Sequence, residues 1–305
     1  MKKTAAYVFS KYYCMASELV FGRTLYALSA RKSVRFEKKI RYSPDKRLYM
    51  NICVPTARTN ENDKLPLFVY LHGGGFVSGA PEARKAIIAN IAARGFFTVG
   101  IFYGLAPRYR FPSPIENIYA ALGFLLRDAE KYGFDPERVY VGGDSAGATL
   151  AVSLGAISSN DKYKRFFSNL DKSAADLRFS GIAPICGLFD THSALQSGYP
   201  YIKEYLCVYA DKDADGLLND GDSEYLSPIR FVNSDFPPAF VITGERDAFL
   251  REGKRLSEKL AALNVDNDGY HGAGASAVHA FPVCQLLKIS KTAIEKMTDF
   301  FLNRD

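Results

Sequence analysis

The residues able to do chemistry gather around one serine. Val139-Tyr140-Val141-Gly142-Gly143-Asp144-Ser145-Ala146-Gly147 closes an apolar run on Gly-x-Ser-x-Gly, and the small apolar residues from Ala148 to Ile157 continue it as a helix would. A serine on so tight a strand-to-helix turn is held strained and exposed, as a nucleophile must be. Glycines two before and two after it spare the turn a clash with its neighbours. The helix N-terminus and the Ala146 N–H would then face negative charge developing in front of the serine. Upstream, the run Leu67 to Leu71 ends in His72-Gly73-Gly74-Gly75-Phe76. Consecutive glycines let backbone N–H groups converge on one oxygen, so Gly74 and Gly75 are the expected oxyanion donors, with Gly73 as a third candidate. No Gly-Lys-Ser/Thr or G-x-G-x-x-G accompanies them, which argues against a phosphate cradle and a dinucleotide site.

The acid and the base that serve such a serine follow it in the chain, acid first. Ala239-Phe240-Val241-Ile242-Thr243-Gly244-Glu245-Arg246-Asp247 reads as a buried strand running into carboxylates; Asp247 is the expected orienting acid and Glu245 the alternative. Three histidines come after Ser145. His192 precedes Asp247, which counts against it. His279 lies 32 residues beyond Asp247, with room between for a helix and a strand near Val265 to Tyr270, and it heads His279-Ala280-Phe281. His279 is the expected base and His271 its rival. His72 precedes the serine and is expected to order the glycine loop rather than accept its proton.

The elements that must position these groups are legible as periodicity. Alternation at Val34 and Phe36, and again at Leu48, Met50, Ile52 and Val54, around Ser43-Pro44-Asp45, predicts an antiparallel pair. Beyond it the apolar runs lose their alternation: Leu65 to Leu71, Phe96 to Tyr103, Val139 to Val141, Phe179 to Ile185 and Ala239 to Thr243. Such runs suit strands covered on both faces. Ser113-Pro114-Ile115-Glu116 has the cap, proline and capping-box glutamate of a helix start, and Ile118, Ala121, Leu122, Leu125 and Leu126 follow on one face. Further helices are expected through Leu256, Leu260 and Leu263 and from about Gln285 to Leu302. Alternating strands and helices predict an α/β fold with a mostly parallel sheet, its site at the carboxyl ends of the strands. The stretch from Phe189 to Tyr225 interrupts that alternation and reads as an insertion.

With 305 residues, 48% of them hydrophobic and 24% charged, the chain can bury a large core and is too apolar to be disordered. Its five cysteines show no CxxC or metal-ligand spacing, which excludes a disulfide scaffold and favours a reducing, cytoplasmic compartment. The net charge of +6 is concentrated in the first 50 residues, where twelve basic groups meet three acidic ones. Met1-Lys2-Lys3 and the apolar residues behind it open like a secretory signal, but Lys11 cuts the run short and no stretch reaches the roughly 18 residues of a membrane span. Residues 4 to 30 are read as an amphipathic helical segment of the mature protein. No zinc-finger, helix-turn-helix or RNA-binding signature accompanies the basic excess, so nucleic acid is not an expected partner.

Taken together these motifs resemble the hormone-sensitive-lipase-like family of α/β-hydrolases. The matching residues are His72-Gly73-Gly74-Gly75-Phe76, Asp135-Pro136-Glu137-Arg138-Val139, Gly142-Gly143-Asp144-Ser145-Ala146-Gly147, Ser227-Pro228-Ile229, Gly244-Glu245-Arg246-Asp247 and His279-Ala280-Phe281. The resemblance implies a carboxylesterase with a Ser145, Asp247, His279 triad and an oxyanion hole from Gly74, Gly75 and Ala146. It also implies a helical cap on a single α/β-hydrolase domain over 1–305, built from about 1–32 and about 189–225, and a homodimer by analogy. Phe76, Asp144, Phe189 and Tyr205 are the expected pocket residues, among aromatic cap candidates that include Tyr199 and Tyr201. One departure is Tyr103-Gly104-Leu105-Ala106-Pro107-Arg108, where the family usually has Tyr-Arg-Leu-Ala-Pro-Glu; it calls into question the local ion pairing that braces this loop. The expected substrate is a small, fairly apolar ester of short to medium acyl length. Amides and acylated sugars are alternatives in the same chemistry, and a catalytically silent receptor is the alternative from another class.

A separate signal lies inside the insertion. Asp211, Asp213, Asp215, the Leu217 carbonyl, Asn219 and Asp222 fall at positions 1, 3, 5, 7, 9 and 12 of a calcium-type loop, with Gly216 at the turn. Position 12 is Asp rather than the longer Glu that ligates with both oxygens, so two readings stand open: a solvated acidic loop, or a calcium whose role would be structural, bracing the cap. The chemistry at Ser145 itself calls for no cofactor.

Overall fold

The apolar runs become one eight-stranded sheet in the computed structural model, ordered β1-β2-β4-β3-β5-β6-β7-β8. The structure describes residues 33–56 and 64–304, together with Val20, Gly22, Thr24, Tyr26 and Ala27. Most of the N-terminal segment expected to build half of the cap therefore lies outside the described residues. The strands are β1 (Val34–Arg41), β2 (Tyr49–Pro55), β3 (Leu65–Leu71), β4 (Phe97–Phe102), β5 (Phe134–Asp144), β6 (Gly181–Ile185), β7 (Ala239–Gly244) and β8 (Asn267–Gly272). β2 runs antiparallel to both β1 and β4, and from β4 to β8 every pairing is parallel.

Successive side chains of a strand point to opposite faces, so a continuous apolar run needs cover on both sides. Leu67, Val69 and Leu71 of β3 face one core, and Phe68 and Tyr70 face the other. Helix α1 (Lys85–Ala92) covers the second face through Ile87, Ile88 and Ile91. Helices α2 (Ser113–Arg127) and α3 (Ala146–Ser159) cover the first, with Ile118, Leu122 and Leu125 packed beside Leu150 and Leu154. Helix α4 (Ile202–Ala210) belongs to the insertion between β6 and β7. Helix α5 (Leu250–Ala262) joins the first face through Leu256 and Leu260, and α6 (Lys288–Leu302) closes the second through Ile294, Met297 and Phe301.

Two local expectations are corrected. Ser113 does not cap α2: the helix includes it, Pro112 stands at the cap position without a side-chain bond, and Glu116 accepts a hydrogen bond from Asn169 instead of reaching back. β8 starts at Asn267 rather than near Val265, because Val265 turns inward to the core while the strand itself is a polar edge.

The insertion folds onto the parallel sheet's carboxyl edge. Tyr205 and Val208 of α4 cluster with Val77 and Ala106 in loops that follow β3 and β4, and Ile202 and Leu206 join the main core. Tyr26 meets the Phe36 ring edge-on at 5.5 Å.

Phe301 is the load carrier of the second face. It is fully buried, its ring is 4.9 Å from Tyr140, and a Cβ on Gly181 would come within 2.4 Å of it. Phe301→Ala should therefore lower stability by about 3–5 kcal/mol. The check is a urea titration, in which the midpoint falls while the slope stays unchanged.

Candidate active site

The serine is positioned by the collision its neighbours avoid. A Cβ on Gly147 would lie 2.0 Å from the Leu71 carbonyl oxygen, and one on Gly143 would lie 2.3 Å from the same atom. With hydrogen at both places, the chain leaving β5 presses against the end of β3 and reverses at Ser145, which adopts φ +54° and ψ −118°. That backbone is costly for a side-chain-bearing residue and persists because its surroundings over-determine it. The Ser145 N–H is anchored on the Ile185 carbonyl at 2.9 Å, tying the turn to the end of β6.

The acid and base arrive from the next edge of the sheet. After β7 the chain keeps a parallel bridge between Arg246 and Val278, and the Arg246 N–H donates to Ala277 at 2.9 Å. This pairing sets Asp247 beside His279. The His279 Nδ1 is 2.8 Å from Asp247 Oδ1, and its Nε2 is 2.9 Å from Ser145 Oγ. A carboxylate only accepts, so Nδ1 carries the proton and Nε2 is left to accept from the serine hydroxyl. Asp247 is buried, and its Oδ1 also accepts the Phe249 N–H at 3.0 Å.

The alternatives fall elsewhere. Glu245 is exposed and accepts the Gly274 N–H. His271 sits on β8 with its Nδ1 3.0 Å from Thr243 Oγ1, and His192 is exposed in the short helix Thr191–Leu195.

Facing the serine, Gly74 (φ +125°) and Gly75 (φ +60°) turn the backbone after β3. Among the described residues the N–H groups of Gly74, Gly75 and Ala146 have no acceptor in the protein. Gly73 is pinned differently: a Cβ there would strike the Asp144 carboxylate at 2.4 Å. His72, fully buried, supports the loop from below. Its Nδ1 donates to the Gly73 carbonyl at 2.8 Å, and its ring stacks on Tyr103 at 4.4 Å. Tyr103 in turn donates to the His72 carbonyl at 2.6 Å, and the Ala106 N–H donates to Phe76. Stacking and these two bonds brace the Tyr103–Arg108 loop, whose Arg108 is exposed.

Beneath the serine lies a buried ion pair. Arg84 Nε and Nη2 each donate to Asp144 at 2.9 Å, and the Tyr70 hydroxyl adds a third bond at 2.9 Å. Burial alone would raise the Asp144 carboxyl, but the Arg84 charge and these hydrogen bonds outweigh it and hold the group below the usual carboxylate range. Arg84 and Tyr70 carried no signal in the sequence, because nothing in one dimension couples them to residue 144. The same holds for Cys186, which packs beside Asp247. Burial first, and then that carboxylate, push its thiol well above the ordinary value.

A cavity of about 220 Å³ opens over the serine, lined by Arg84, Asp144, Leu188, Tyr199, Ile202, Tyr205 and Phe249 among others. Asp144 and Tyr205 thus reach it as expected, whereas Phe76 and Phe189 do not. Phe76 is buried against Tyr209, ring on ring at 4.0 Å, and Phe189 is buried in the core with its N–H bonded to Glu252. Phe249, Leu188 and Ile202 are lining residues that motif reading missed, since apolar side chains in loops and at helix starts look like core.

The calcium-type loop is not gathered as one. Asp211 pairs with Arg110, Asp213 caps the Gly216 N–H at 2.8 Å, and Asp215 accepts from Asn219 at 2.7 Å. Lys212 Nζ lies 2.6 Å from Asp220 and 2.7 Å from Asp222. Leu217 is buried within the turn Gly216–Asn219. Among the described residues no group of three or more His, Cys, Asp or Glu is arranged to hold a metal ion.

Comparison with known proteins gives this geometry relatives. Residues 68–282 match the alpha/beta hydrolase fold family. The chain is 30% identical over 243 residues to the acetyl esterase of Salmonella choleraesuis, covering 77% of this chain and 71% of that protein. It is 26% identical to Esterase LipQ of Mycobacterium tuberculosis over 78% of this chain, and spans only 55% of that longer relative. In fold it is similar to inhibited esterase B from Lactobacillus rhamnosis, with a TM-score of 0.84 at 23% identity over 98% of this chain and 96% of the other. The esterase from Pyrobaculum calidifontis follows at 0.77 over 96% and 93%.

The buried imidazole has a measurable consequence. Burial lowers the His72 pKa from 6.5 to about 4. Between these values the unfolded chain binds a proton that the folded one refuses, so stability is full above pH 6.5 and falls as pH drops toward 4. The loss from this group is roughly 3 kcal/mol. Denaturant midpoints from pH 7 to 4.5 should fall for the wild type, and His72→Gln, though less stable at pH 7, should give a flatter profile. Equal slopes would assign the acid sensitivity to another group.

Proposed function

Because the chain belongs to the α/β-hydrolase fold family, in its hormone-sensitive-lipase-like class, we propose that it is a serine carboxylesterase cleaving small, short-acyl esters through an acyl-enzyme on Ser145. The observation that carries this reading is the unbroken relay Ser145 Oγ to His279 Nε2 at 2.9 Å and His279 Nδ1 to Asp247 Oδ1 at 2.8 Å, in front of unengaged N–H groups.

The steps follow from the atoms. Ser145 Oγ attacks the ester carbonyl carbon while its proton passes to His279 Nε2. Asp247 holds the tautomer that leaves Nε2 able to accept, and offsets the imidazolium charge. The carbonyl oxygen becomes an oxyanion and takes hydrogen bonds from Gly74, Gly75 and Ala146, at the N-terminus of α3. Collapse breaks the bond to the alcohol oxygen, which receives the proton from Nε2. Water then repeats the sequence on the acyl-enzyme, freeing the acid and restoring Ser145. No metal or organic cofactor enters these steps.

The size preference rests on the cavity. Its volume of about 220 Å³ is below the roughly 300–1,000 Å³ of sites for drug-sized ligands, which favours a short acyl group. Amide and acyl-sugar substrates remain readings within the same acyl chemistry, and no observation favours a silent receptor. Cys53, Cys186, Cys207 and Cys284 are free thiols, which supports a cytoplasmic setting. Among the described residues no helix is long and apolar enough to cross a membrane.

Hydrolysis of chromogenic esters from acetate to decanoate should be fastest at the short end. Ser145→Ala should lower kcat/KM about 10⁴-fold or more with an unchanged denaturation midpoint, Asp247→Asn by about 10³- to 10⁴-fold, and Glu245→Gln hardly at all. Rates with and without EDTA should match. A folded wild type inert toward every ester would overturn the proposal.

A further inference from the structure

The cap and the loop after β7 together build an aromatic wall against the proposed catalytic histidine. Tyr199 and Phe249 stack on each other at 4.9 Å with their planes 22° apart. Both meet His279 steeply, Tyr199 at 4.9 Å and 63° and Phe249 at 5.4 Å and 70°. Both line the cavity over the serine, with Leu188 and Ile202 also in its lining. The charged residues of that cavity are of another kind. Arg84 and Asp144 are bonded to each other and sit under the turn that carries Ser145.

Catalytic geometry says which part of a substrate meets the wall. In the breakdown of the tetrahedral intermediate the oxyanion points at the donors Gly74, Gly75 and Ala146, while the departing oxygen must lie within about 3 Å of His279 Nε2 to take its proton. The alcohol component therefore leaves across the histidine, and the first side chains it passes are those packed on that ring. We infer that Tyr199 and Phe249 form the leaving-alcohol subsite and select esters whose alcohol carries a flat aromatic ring, such as benzyl or phenyl acetates. Stacked rings offer such a group offset or edge-on contact beyond its area burial. A polyhydroxylated sugar alcohol finds little there: its hydroxyls would lose water against Leu188, Ile202 and two ring faces. The inference rests on the esterase reading and deepens it by naming the alcohol.

Phe249 is fixed in place by more than stacking. Its side chain is buried and its N–H bonds Asp247, so it couples the wall to the acid. Tyr199 is half-buried and comes from the insertion, which makes it the side chain to vary.

The test compares kcat/KM for methyl, butyl and benzyl acetate and for glucose pentaacetate in the wild type, Tyr199→Leu and Tyr199→Phe. Holding the acyl group constant isolates the alcohol. The wild type should prefer benzyl over butyl acetate by about tenfold and both over the sugar ester, with Tyr199→Phe retaining the preference and Tyr199→Leu reducing the benzyl-to-butyl ratio to near one. If Tyr199→Leu lowers all the esters by one common factor, the ring acts only by steadying His279 and the subsite assignment falls. A wild type that prefers butyl acetate or the sugar ester overturns the assignment as well. Failure of the underlying esterase reading is distinguishable, because then methyl acetate is not turned over, or its turnover survives Ser145→Ala.

Discussion

The contact between the turn after β5 and the last carbonyl of β3 governs the site. Because Gly143 and Gly147 bring only hydrogen to the Leu71 oxygen, the two strands can end side by side and the chain can reverse within one residue. Ser145 bears the cost as a positive φ, and the first turn of α3 begins immediately behind it. The same approach brings the loop after β3 across the serine, so the groups that would receive an oxyanion and the group that would create it share one point of contact. A strained residue is tolerable where it is locked from several sides. Here the locks are the Ser145 N–H on Ile185 and the Arg84–Asp144–Tyr70 cluster beneath.

That cluster is a costly thing to bury. Two charges removed from water recover their hydration only through close geometry and full hydrogen bonding, and even then a buried pair is weak evidence for stability. Its value here is positional. Asp144 is the residue next to Ser145, Arg84 precedes α1, and Tyr70 lies on β3, so one carboxylate ties the serine turn to two elements of the second face. His72 does similar work with neutral chemistry, its ring stacked on Tyr103 and its Nδ1 on the Gly73 carbonyl. The loop in which a glycine and an arginine replace the family's usual ion-pairing residues is thus held by stacking and backbone bonds instead.

The insertion is coupled to the catalytic edge rather than merely laid over it. Glu252 of α5, almost completely buried, accepts the N–H groups of Phe189 and Asp190 at 2.8 Å each and also bonds Ser193. These contacts clamp the entry to the insertion on the helix that follows Asp247, five residues away in sequence. Tyr199 then returns to the His279 ring. The insertion and the Ser145–His279–Asp247 relay are therefore joined at a backbone clamp and at a ring contact.

Much of this was legible in one dimension. The parallel strands could be read because residues buried on both faces must be apolar throughout, and the serine turn because glycine alone tolerates its contacts. The order of serine, acid and histidine followed from the strand-turn-helix context of the serine motif, and the structure brings Ser145, Asp247 and His279 into one hydrogen-bonded line. What stayed hidden shares a physical cause. Phe76 and Phe249 are alike as residue types, and only the packing of the insertion sends the first against Tyr209 and leaves the second beside His279. The acidic run from Asp211 to Asp222 has a cation loop's spacing, yet Lys212 and Arg110 reach several of its carboxylates once the chain is folded. Spacing encodes what a segment can do alone; which partner each side chain meets depends on contacts between segments far apart in the chain, and those exist only in three dimensions.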